Sequence, residues 1–154
     1  MFDNVLIVCH ANVCRSPAAE MLFKARQART ARTARNGAAP IAFHSAGIRA
    51  VNGHRMDPVM RRLLEERGVA AGSHHARRLD RSLVRAADLV LVSERAQVSE
   101  VEALDPAARG KVYALGKWEA DADVADPHGG AEHAYRESLV LIEHLVIGWL
   151  NKIC

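Results

Sequence analysis

The sequence predicts an α/β fold built on a parallel sheet, because short apolar segments alternate with helical segments along its 154 residues. Residues 5–8 form a continuous apolar run rich in β-branched side chains, and residues 89–92 form another all-apolar run. Such runs are typical of strands buried on both faces of a parallel sheet, joined by right-handed crossovers through helices. No linker interrupts the pattern, so we expect a single domain over residues 1–154.

The first strand, residues 5–8, leads into a polar, turn-like segment and then into a helix. Pro17 suits the first turn of that helix, because its fixed φ is helical and its missing N–H needs no partner there. The helix is predicted from Ala18 to about Arg29.

The later elements are predicted from apolar periodicity and from the residues that begin or end them. Asp57-Pro58 begins a helix with an apolar face, and Gly68 ends it. Ser93 is a predicted N-cap. In order, we expect a strand at 41–44, helices at 57–67 and 81–87, a strand at 89–92, a helix to about 101, a strand at 111–115 and a helix at 131–150.

The charge pattern favours an anionic partner. The net charge is +3, with 17 arginines against four lysines, and a basic protein attracts either nucleic acid or phosphate esters. Genome composition is an alternative explanation for the arginines. Arginine recurs at every third position from Arg26 to Arg35, which we interpret as a solvated helix end rather than a basic patch, closed by Asn36-Gly37.

The sequence predicts a soluble, cytoplasmic protein without membrane insertion, because it shows no signal peptide and no apolar stretch of about 18 residues. Three cysteines, an odd number, do not make a disulfide scaffold, and Cys154 is interpreted as incidental. The eight histidines are dispersed and no Cys-x-x-Cys is present, so no metal site is expected.

The strongest functional signal follows the first strand. The loop and helix start read Cys9-His10-Ala11-Asn12-Val13-Cys14-Arg15-Ser16-Pro17. Successive backbone N–H groups of such a loop form an anion nest, and the helix N-terminus adds its positive dipole end. Arg15 supplies a planar fork matched to two phosphate oxygens. We therefore predict a phosphate-binding loop in which residues 10–14 and Ser16 surround a tetrahedral anion.

The same positive field favours the thiolate of Cys9, which is the nucleophilic form of cysteine. That thiolate would lie beneath the bound phosphorus, ready for in-line attack, and Ser16 could donate its hydroxyl to it. Asn12 tolerates left-handed backbone geometry and could fix the shape of the loop. The spacing Cys-x5-Arg alone is a weak signal, but the strand, the loop and the helix start strengthen it.

This stretch resembles the signature of the low-molecular-weight protein tyrosine phosphatases, Cys-x-Gly-Asn-x-Cys-Arg-Ser-Pro. Further matches follow in order, at Ser45-Ala46-Gly47, His74-x-Ala76-Arg77 and Asp126-Pro127. The resemblance implies a three-layer α/β fold, with a four-stranded parallel sheet, helices on both faces and the phosphate loop after strand 1. It also implies hydrolysis of phosphotyrosine without metal or cofactor, through a phosphocysteine on Cys9.

The resemblance assigns Asp126 as the general acid. An aryl oxygen leaves poorly as an anion, so a protonated carboxyl assists it and the resulting carboxylate then activates water. The residues alone would not single out Asp126 among the acidic residues of segment 119–126. The resemblance also implies that Ser45 and His74 support the site, with His74 hydrogen-bonding to the phosphate loop.

The sequence departs from the family pattern around the pocket. Ala11 replaces the usual glycine, which costs strain only if that position needs a positive φ. His10 occupies a variable position at the rim. His128 replaces the tyrosine that usually walls the slot for an aromatic ring, so strict aryl selectivity is not predicted. Trp118 is a candidate for another wall, and a partly buried structural tryptophan is the alternative.

Cys14 has two interpretations. Given the pattern of the family, the favoured one is a reversible Cys9–Cys14 disulfide that protects the nucleophile from overoxidation. The alternative is a small residue that packs inside the loop.

Two other functions compete with the phosphatase. Arsenate reductase uses the same fold but passes electrons through further cysteines, and none lies between Cys14 and Cys154. A non-catalytic phosphate-binding module would not need both a nucleophile and an acid. Nucleotide binding is not expected, since neither a Walker loop nor Gly-x-Gly-x-x-Gly is present, and nucleic acid is not expected either. The short form resembles the bacterial branch, whose members often oppose tyrosine autokinases in exopolysaccharide export, so a phosphotyrosine protein is the expected partner.

Overall fold

One parallel sheet organises the molecule. The computed structural model describes residues 2–34 and 39–154, with the backbone alone for residues 30–34. The four strands lie in the order β2-β1-β3-β4, and every pairing is parallel. They are β1 (Asn4–Cys9), β2 (Ala42–Gly47), β3 (Leu89–Val92) and β4 (Val112–Ala114). The predicted four-stranded parallel sheet is confirmed.

Helices connect the strands. In chain order they are α1 (Arg15–Ala34), α2 (Pro58–Glu66), α3 (Arg81–Ala86), α4 (Ala96–Leu104), a short 3₁₀ turn (Pro106–Ala108) and α5 (Glu132–Ile153). The Asp57 side chain caps α2 by accepting hydrogen bonds from Val59 N and Met60 N, as the sequence led us to expect. Gly68, which follows that helix, has a φ of +74°, a conformation that glycine adopts without strain.

The side chains of the buried strands divide between two cores, because successive residues of a strand point to opposite faces of the sheet. Val5, Ile7, Leu89 and Leu91 pack with residues of α1, α2 and α5. Leu6, Val8, Val90 and Val92 pack with Val84 of α3 and Val101 of α4. Helices therefore cover both faces, and the three-layer α/β class predicted for the chain is confirmed.

Two helix starts differ from prediction. Helix α1 begins at Arg15, before Pro17, so the arginine of the predicted phosphate loop is the first residue of the helix. Ser93 is not the N-cap of α4, which begins at Ala96 without a side-chain cap. Its hydroxyl instead donates to Val8 O at 3.0 Å, while the Gln97 side chain accepts hydrogen bonds from Ser93 N and Glu94 N. The connection after β3 is thereby fixed to the central strand.

The arginine repeat is only partly described. Arg26 lies on α1 and pairs with Glu143 of α5 at 3.3 Å, so this arginine joins two helices. The side chain of Arg32, all of Arg35 and the predicted closing turn Asn36-Gly37 lie outside the described residues. Within the described parts of the chain, no helix combines the length and apolarity that a bilayer crossing requires.

Candidate active site

The predicted phosphate loop connects β1 to α1 at the carboxyl edge of the sheet, where ligands of open parallel sheets bind. Asn12 adopts a left-handed φ of 58°, as its residue type allows. Among the described non-glycine residues, only Asn12, Ala120 and Asp121 have positive φ. Ala11 therefore replaces the usual glycine without requiring a left-handed backbone, and that departure from the family signature is conformationally harmless.

Cys9 ends β1 with only 2% of its surface exposed. Its Sγ lies 2.9 Å from Ser16 Oγ and accepts a hydrogen bond from Asn12 N at 3.3 Å. The Asn12 side-chain amide donates to the same Ser16 Oγ at 2.8 Å, so the Ser16 hydroxyl proton remains available for the sulfur. These donors and the N-terminus of α1 stabilise negative charge on Cys9.

Arg15 is 3% exposed and lies in the first turn of α1. Its Nη1 donates to Val124 O at 2.8 Å and lies 3.5 Å from Glu94 Oε1, and its Nη2 lies 3.7 Å from Asp126 Oδ2. The guanidinium is therefore held between the phosphate loop and the loops that follow β3 and β4. That placement suits bidentate binding of a phosphate.

A buried polar network supports the loop from below. The second N–H of the Asn12 amide donates to Ser45 Oγ at 2.9 Å, and Ser45 donates to Glu20 Oε1 at 2.5 Å. His74 Nε2 donates to Asn12 O at 2.8 Å, and Arg77 N donates to Asn12 Oδ1 at 3.0 Å. Asn12 thus uses its backbone and side chain together to hold the loop, and His74 lies where the resemblance implies.

Gly47, at the end of β2, packs directly beneath the loop. A Cβ at this position would lie 2.8 Å from backbone atoms of His10, Ala11 and Asn12, closer than carbon atoms approach in folded proteins. The Ser-Ala-Gly match therefore has a physical basis, since only glycine allows β2 to contact the loop backbone so closely.

Asp126 lies in the loop between β4 and α5, and its side chain is 42% exposed. Its Oδ1 accepts a hydrogen bond from His128 N at 3.1 Å. The loop makes a turn closed by Gly130 N, which donates to Pro127 O at 2.8 Å. The structure therefore brings the predicted acid to Arg15 and leaves it open to solvent and substrate.

A second polar cluster, formed by Asp57, His128 and Tyr135, ties this acid loop to the phosphate loop. His128 Nδ1 lies 2.5 Å from Asp57 Oδ2, Tyr135 OH donates to the same oxygen at 2.7 Å, and Gly129 N donates to Tyr135 OH at 3.0 Å. Asp57 N donates to Val13 O at 2.8 Å. Asp57 therefore connects the two loops, in addition to the contacts of Arg15 with Val124 and Asp126.

Electrostatics within this cluster follow from burial and hydrogen bonding. Burial raises the pKa of Asp57, but hydrogen bonds from Tyr135 and His128 outweigh it and hold that pKa below its usual range. Burial and the hydrogen bond to Asp57 raise the pKa of Tyr135 to about 12. Burial, reinforced by the charges of Asp57 and Asp126, raises the pKa of the Cys14 thiol far above its ordinary value. Cys14 is therefore a neutral thiol at physiological pH.

The remaining predicted site residues are placed as follows. His10 is exposed at the rim, Ala11 is half-buried and Val13 is buried. Cys9 and Cys14 are both free, buried thiols, and the predicted disulfide between them stays a prediction. Within the described chain, no group of three or more His, Cys, Asp or Glu residues is arranged to hold a metal ion.

Trp118 is not brought to the loop. Its ring packs edge-on against Trp149, with centroids 5.3 Å apart, and Lys152 lies over it at 4.8 Å. Trp149 follows Tyr135 by 14 residues in α5, which is about 21 Å of helix. The structure therefore favours the alternative of a structural tryptophan over a pocket wall.

Sequence reasoning missed several residues that shape the site, Glu20 and Tyr135 among them. Glu20 lies on the buried side of α1. In the sequence it is followed four residues later by Lys24, a spacing that is typical of an exposed helix face. Nothing in that spacing indicates the contact of Glu20 with Ser45. Tyr135 lies in the first turns of α5. Its partner Asp57 is 78 residues away in the sequence, and no local pattern links the two.

The fold and the loop together define a class of α/β proteins that bind a tetrahedral oxyanion over a cysteine thiol. The sequence profile of the low molecular weight phosphotyrosine protein phosphatase family matches residues 4–154. The chain belongs to this family, and the resemblance seen in the sequence is confirmed.

Known relatives share the whole chain. The probable low molecular weight protein-tyrosine-phosphatase EpsP of Ralstonia nicotianae is 35% identical over 153 residues, which cover 99% of this chain and 97% of EpsP. The tyrosine phosphatase Wzb from Escherichia coli K30, solved with sulphate, superposes with a TM-score of 0.89 at 28% identity and 100% coverage of both chains. The arginine phosphatase YwlE from Geobacillus stearothermophilus superposes with a TM-score of 0.85 at 27% identity, covering 97% of this chain and 92% of YwlE.

Proposed function

We propose that the chain is a protein tyrosine phosphatase that hydrolyses phosphotyrosine through a phosphocysteine on Cys9. The observation that carries this proposal is the placement of Cys9 Sγ, 2.9 Å from Ser16 Oγ, at the floor of a loop whose amides and Arg15 suit a phosphate dianion. Arg15 and the loop amides offset the negative charge of the phosphate, which is the role that a metal ion plays in other phosphatases. Relatives named as tyrosine phosphatases, EpsP among them, support the substrate class.

In the first step the Cys9 thiolate attacks phosphorus, forming an S–P bond while the P–O bond to the tyrosine oxygen breaks. Arg15 and the loop amides stabilise the equatorial oxygens in the transition state. Protonated Asp126 gives its proton to the departing oxygen, so the tyrosine side chain leaves as a neutral phenol.

In the second step the Asp126 carboxylate accepts a proton from water, whose oxygen attacks the phosphorus of the phosphocysteine. The S–P bond breaks, inorganic phosphate forms and Asp126 regains its proton. The departing sulfur leaves as a thiolate, which the Ser16 hydroxyl stabilises by donating a hydrogen bond.

His128 positions the acid rather than walling the substrate. Its ring contacts Asp57 and its backbone N–H donates to Asp126, so one residue joins the acid to the element that also holds the phosphate loop. His128 stands where the family usually has the wall tyrosine. The replacement therefore gives the acid loop an additional contact, with Asp57.

The physiological substrate we propose is a phosphotyrosine protein, with a bacterial tyrosine autokinase of exopolysaccharide synthesis as the partner class. Relatives named as protein-tyrosine-phosphatases, EpsP and Wzb among them, support the phosphotyrosine substrate. Because YwlE is an arginine phosphatase on the same fold, phosphoarginine is the competing substrate that an assay has to include.

Trapping the intermediate tests the mechanism. Purified protein in a chelating buffer is mixed with ³²P-labelled phosphotyrosine peptide and quenched in acid. We expect label on Cys9, none in Cys9→Ser, and normal labelling in Cys154→Ser, because Cys154 is exposed at the end of the chain. Absence of an acid-stable phosphoenzyme would contradict the mechanism.

Parallel assays with phosphoserine and phosphoarginine peptides test the substrate class. Phosphotyrosine should give the highest kcat/KM of the three. A higher value for phosphoarginine would retain the thiol chemistry and overturn the tyrosine assignment.

A further inference from the structure

Two surface segments beside the phosphate loop are basic throughout. Residues 45–56 and 67–79 contain no aspartate or glutamate. They carry three exposed arginines, Arg49, Arg55 and Arg78, and two further histidines, His54 and His75, whose side chains are also exposed. We call the surface formed by residues 48–55 and 74–78 the basic platform.

Backbone hydrogen bonds make the platform one unit. Gly53 N donates to Ala76 O and Ala76 N donates to His54 O, both at 2.8 Å. Arg55 and His75 form an antiparallel bridge, and Arg78 N donates to Asn52 Oδ1 at 2.7 Å. The exposed arginines are therefore displayed on an ordered backbone.

The platform contacts the phosphate loop directly. Arg49 N donates to His10 O at 2.8 Å, and His74 Nε2 donates to Asn12 O at 2.8 Å. A protein substrate whose phosphate occupies the loop must therefore run its neighbouring residues over this surface or over the opposite flank.

The three platform arginines differ from the two arginines of α2, which pair with glutamates. Within the described chain, no carboxylate oxygen lies within 4.0 Å of the guanidinium of Arg49, Arg55 or Arg78. Glu100 lines a cleft with Arg49 and Arg78 but forms no ion pair with either. By contrast, Arg62 of α2 pairs with Glu66 and with Glu132 of α5.

The opposite flank of the site carries acidic residues. Glu94 and Asp126 both lie close to Arg15 on the side of β3 and β4. An acidic peptide is therefore attracted to the platform rather than to that flank, which sets the direction in which its acidic residues lie. An extended chain advances about 3.3 Å per residue, so residues a few positions from the phosphate reach the platform.

We infer that the basic platform binds acidic residues flanking the phosphorylated side chain, so that the preferred substrates are acidic phosphopeptides. This inference rests on the proposed phosphatase function. It adds a determinant of specificity outside the phosphate loop, carried by the side chains of Arg49, Arg55 and Arg78.

The test compares two phosphotyrosine peptides of equal length, one flanked by Asp and Glu and the other by Ser and Gln. The measured quantity is the ratio of their kcat/KM values within each protein, which cancels any loss of folded enzyme. We expect the wild type to favour the acidic peptide about tenfold at ~0.05 M salt and to lose most of that preference at ~0.5 M, because salt screens exposed charges.

Matched variants locate the effect. In the triple variant Arg49→Gln/Arg55→Gln/Arg78→Gln the ratio should fall to about one. The control is the double variant Arg62→Gln/Arg136→Gln, whose arginines pair with glutamates of α2 and α5. In this control the ratio should stay at the wild-type value. A ratio near one in the wild type, or a preference that survives the triple substitution, overturns the inference.

Two further outcomes separate this inference from its alternatives. If neither peptide is hydrolysed, the proposed function fails; if both are hydrolysed equally, only the platform inference fails. Sedimentation with phosphatidylserine vesicles is run in parallel. The platform would be a lipid-binding surface instead if the wild type bound the vesicles, the triple variant did not, and the wild-type peptide ratio was one.

Discussion

Two flanks border the phosphate loop, and they are held in different ways. On the β2 side the basic platform is fixed mainly by backbone hydrogen bonds, such as Arg49 N to His10 O. On the β4 side the segment that carries Asp126 is tied to the phosphate loop by side chains, chiefly the contacts of His128 and Tyr135 with Asp57. The first flank keeps its shape when side chains change, whereas the second depends on individual side chains.

This difference assigns different kinds of function to the two flanks. A backbone-held surface can display arginines that are free to select a substrate, because altering them leaves the fold intact. A side-chain-held loop can place a proton donor accurately, but one substitution displaces it. Specificity is therefore expected on the platform side and chemistry on the acid-loop side.

The largest effect should come from Asp126→Asn, which removes the proton donor. With phenyl phosphate, a poor leaving group, we expect kcat/KM to fall about a hundredfold or more, because kcat/KM reports the step in which the phenol leaves and not the later hydrolysis of the phosphocysteine. With p-nitrophenyl phosphate the fall should be much smaller, since that phenolate leaves readily without a proton. The comparison is a steady-state leaving-group series at one pH.

Asp123→Asn is the control in the same loop, because Asp123 pairs with Arg95 at 3.4 Å and not with Arg15. It should leave the leaving-group dependence unchanged. Equal slowing of both substrates by Asp126→Asn would remove the acid role from that residue.

His128→Ala should have a smaller effect of the same kind. Losing the ring contact with Asp57 lets the acid loop move, and we expect kcat/KM with phenyl phosphate to fall about tenfold. His128→Asn, which keeps a side-chain donor, should recover part of the loss.

The matched control is His144→Ala. His144 makes a similar exposed contact, with Nε2 2.8 Å from Glu119 Oε1. Glu119 belongs to the same loop, but it makes no hydrogen bond with Asp57 or Asp126. A loss in His128→Ala that is as large with p-nitrophenyl as with phenyl phosphate would mean that His128 does not act through the acid.

The sequence was a good guide to the sheet and to the phosphate loop. The apolar runs, the glycine-containing Ser-Ala-Gly match and the Cys-to-Pro stretch are local patterns, and local patterns report backbone structure. Asn12 was predicted to fix the loop, and its φ of 58° follows from its own residue type.

The acid-loop side was less predictable because its contacts join residues far apart in the chain. Asp57 was identified only as the start of α2, a role that it fills. Its second role, as acceptor for Tyr135, depends on how α5 packs against α2, which periodicity does not specify. Ser93 illustrates the same point, because its hydroxyl is used by the neighbouring strand rather than by the helix that follows it.

Tyr135→Phe should give the smallest effect, seen in stability and its pH dependence. Deleting the hydroxyl removes a donor to a buried carboxylate, so unfolding free energy at neutral pH should fall by about 1–3 kcal/mol. The raised pKa of Tyr135, about 12 against an ordinary 10.0, means that the hydroxyl stabilises the fold fully below pH 10. That contribution is lost as pH rises towards 12.

The difference in unfolding free energy between wild type and Tyr135→Phe should therefore shrink from pH 10 to 12, measured by urea denaturation. Tyr113→Phe is the control, since Tyr113 OH donates to the exposed Gly110 O at 3.0 Å and contacts no carboxylate. A difference that stays constant over this range would show that the hydroxyl of Tyr135 does not hold Asp57. The hydrogen bond between Tyr135 and Asp57 would then no longer support the view that side chains hold the acid loop.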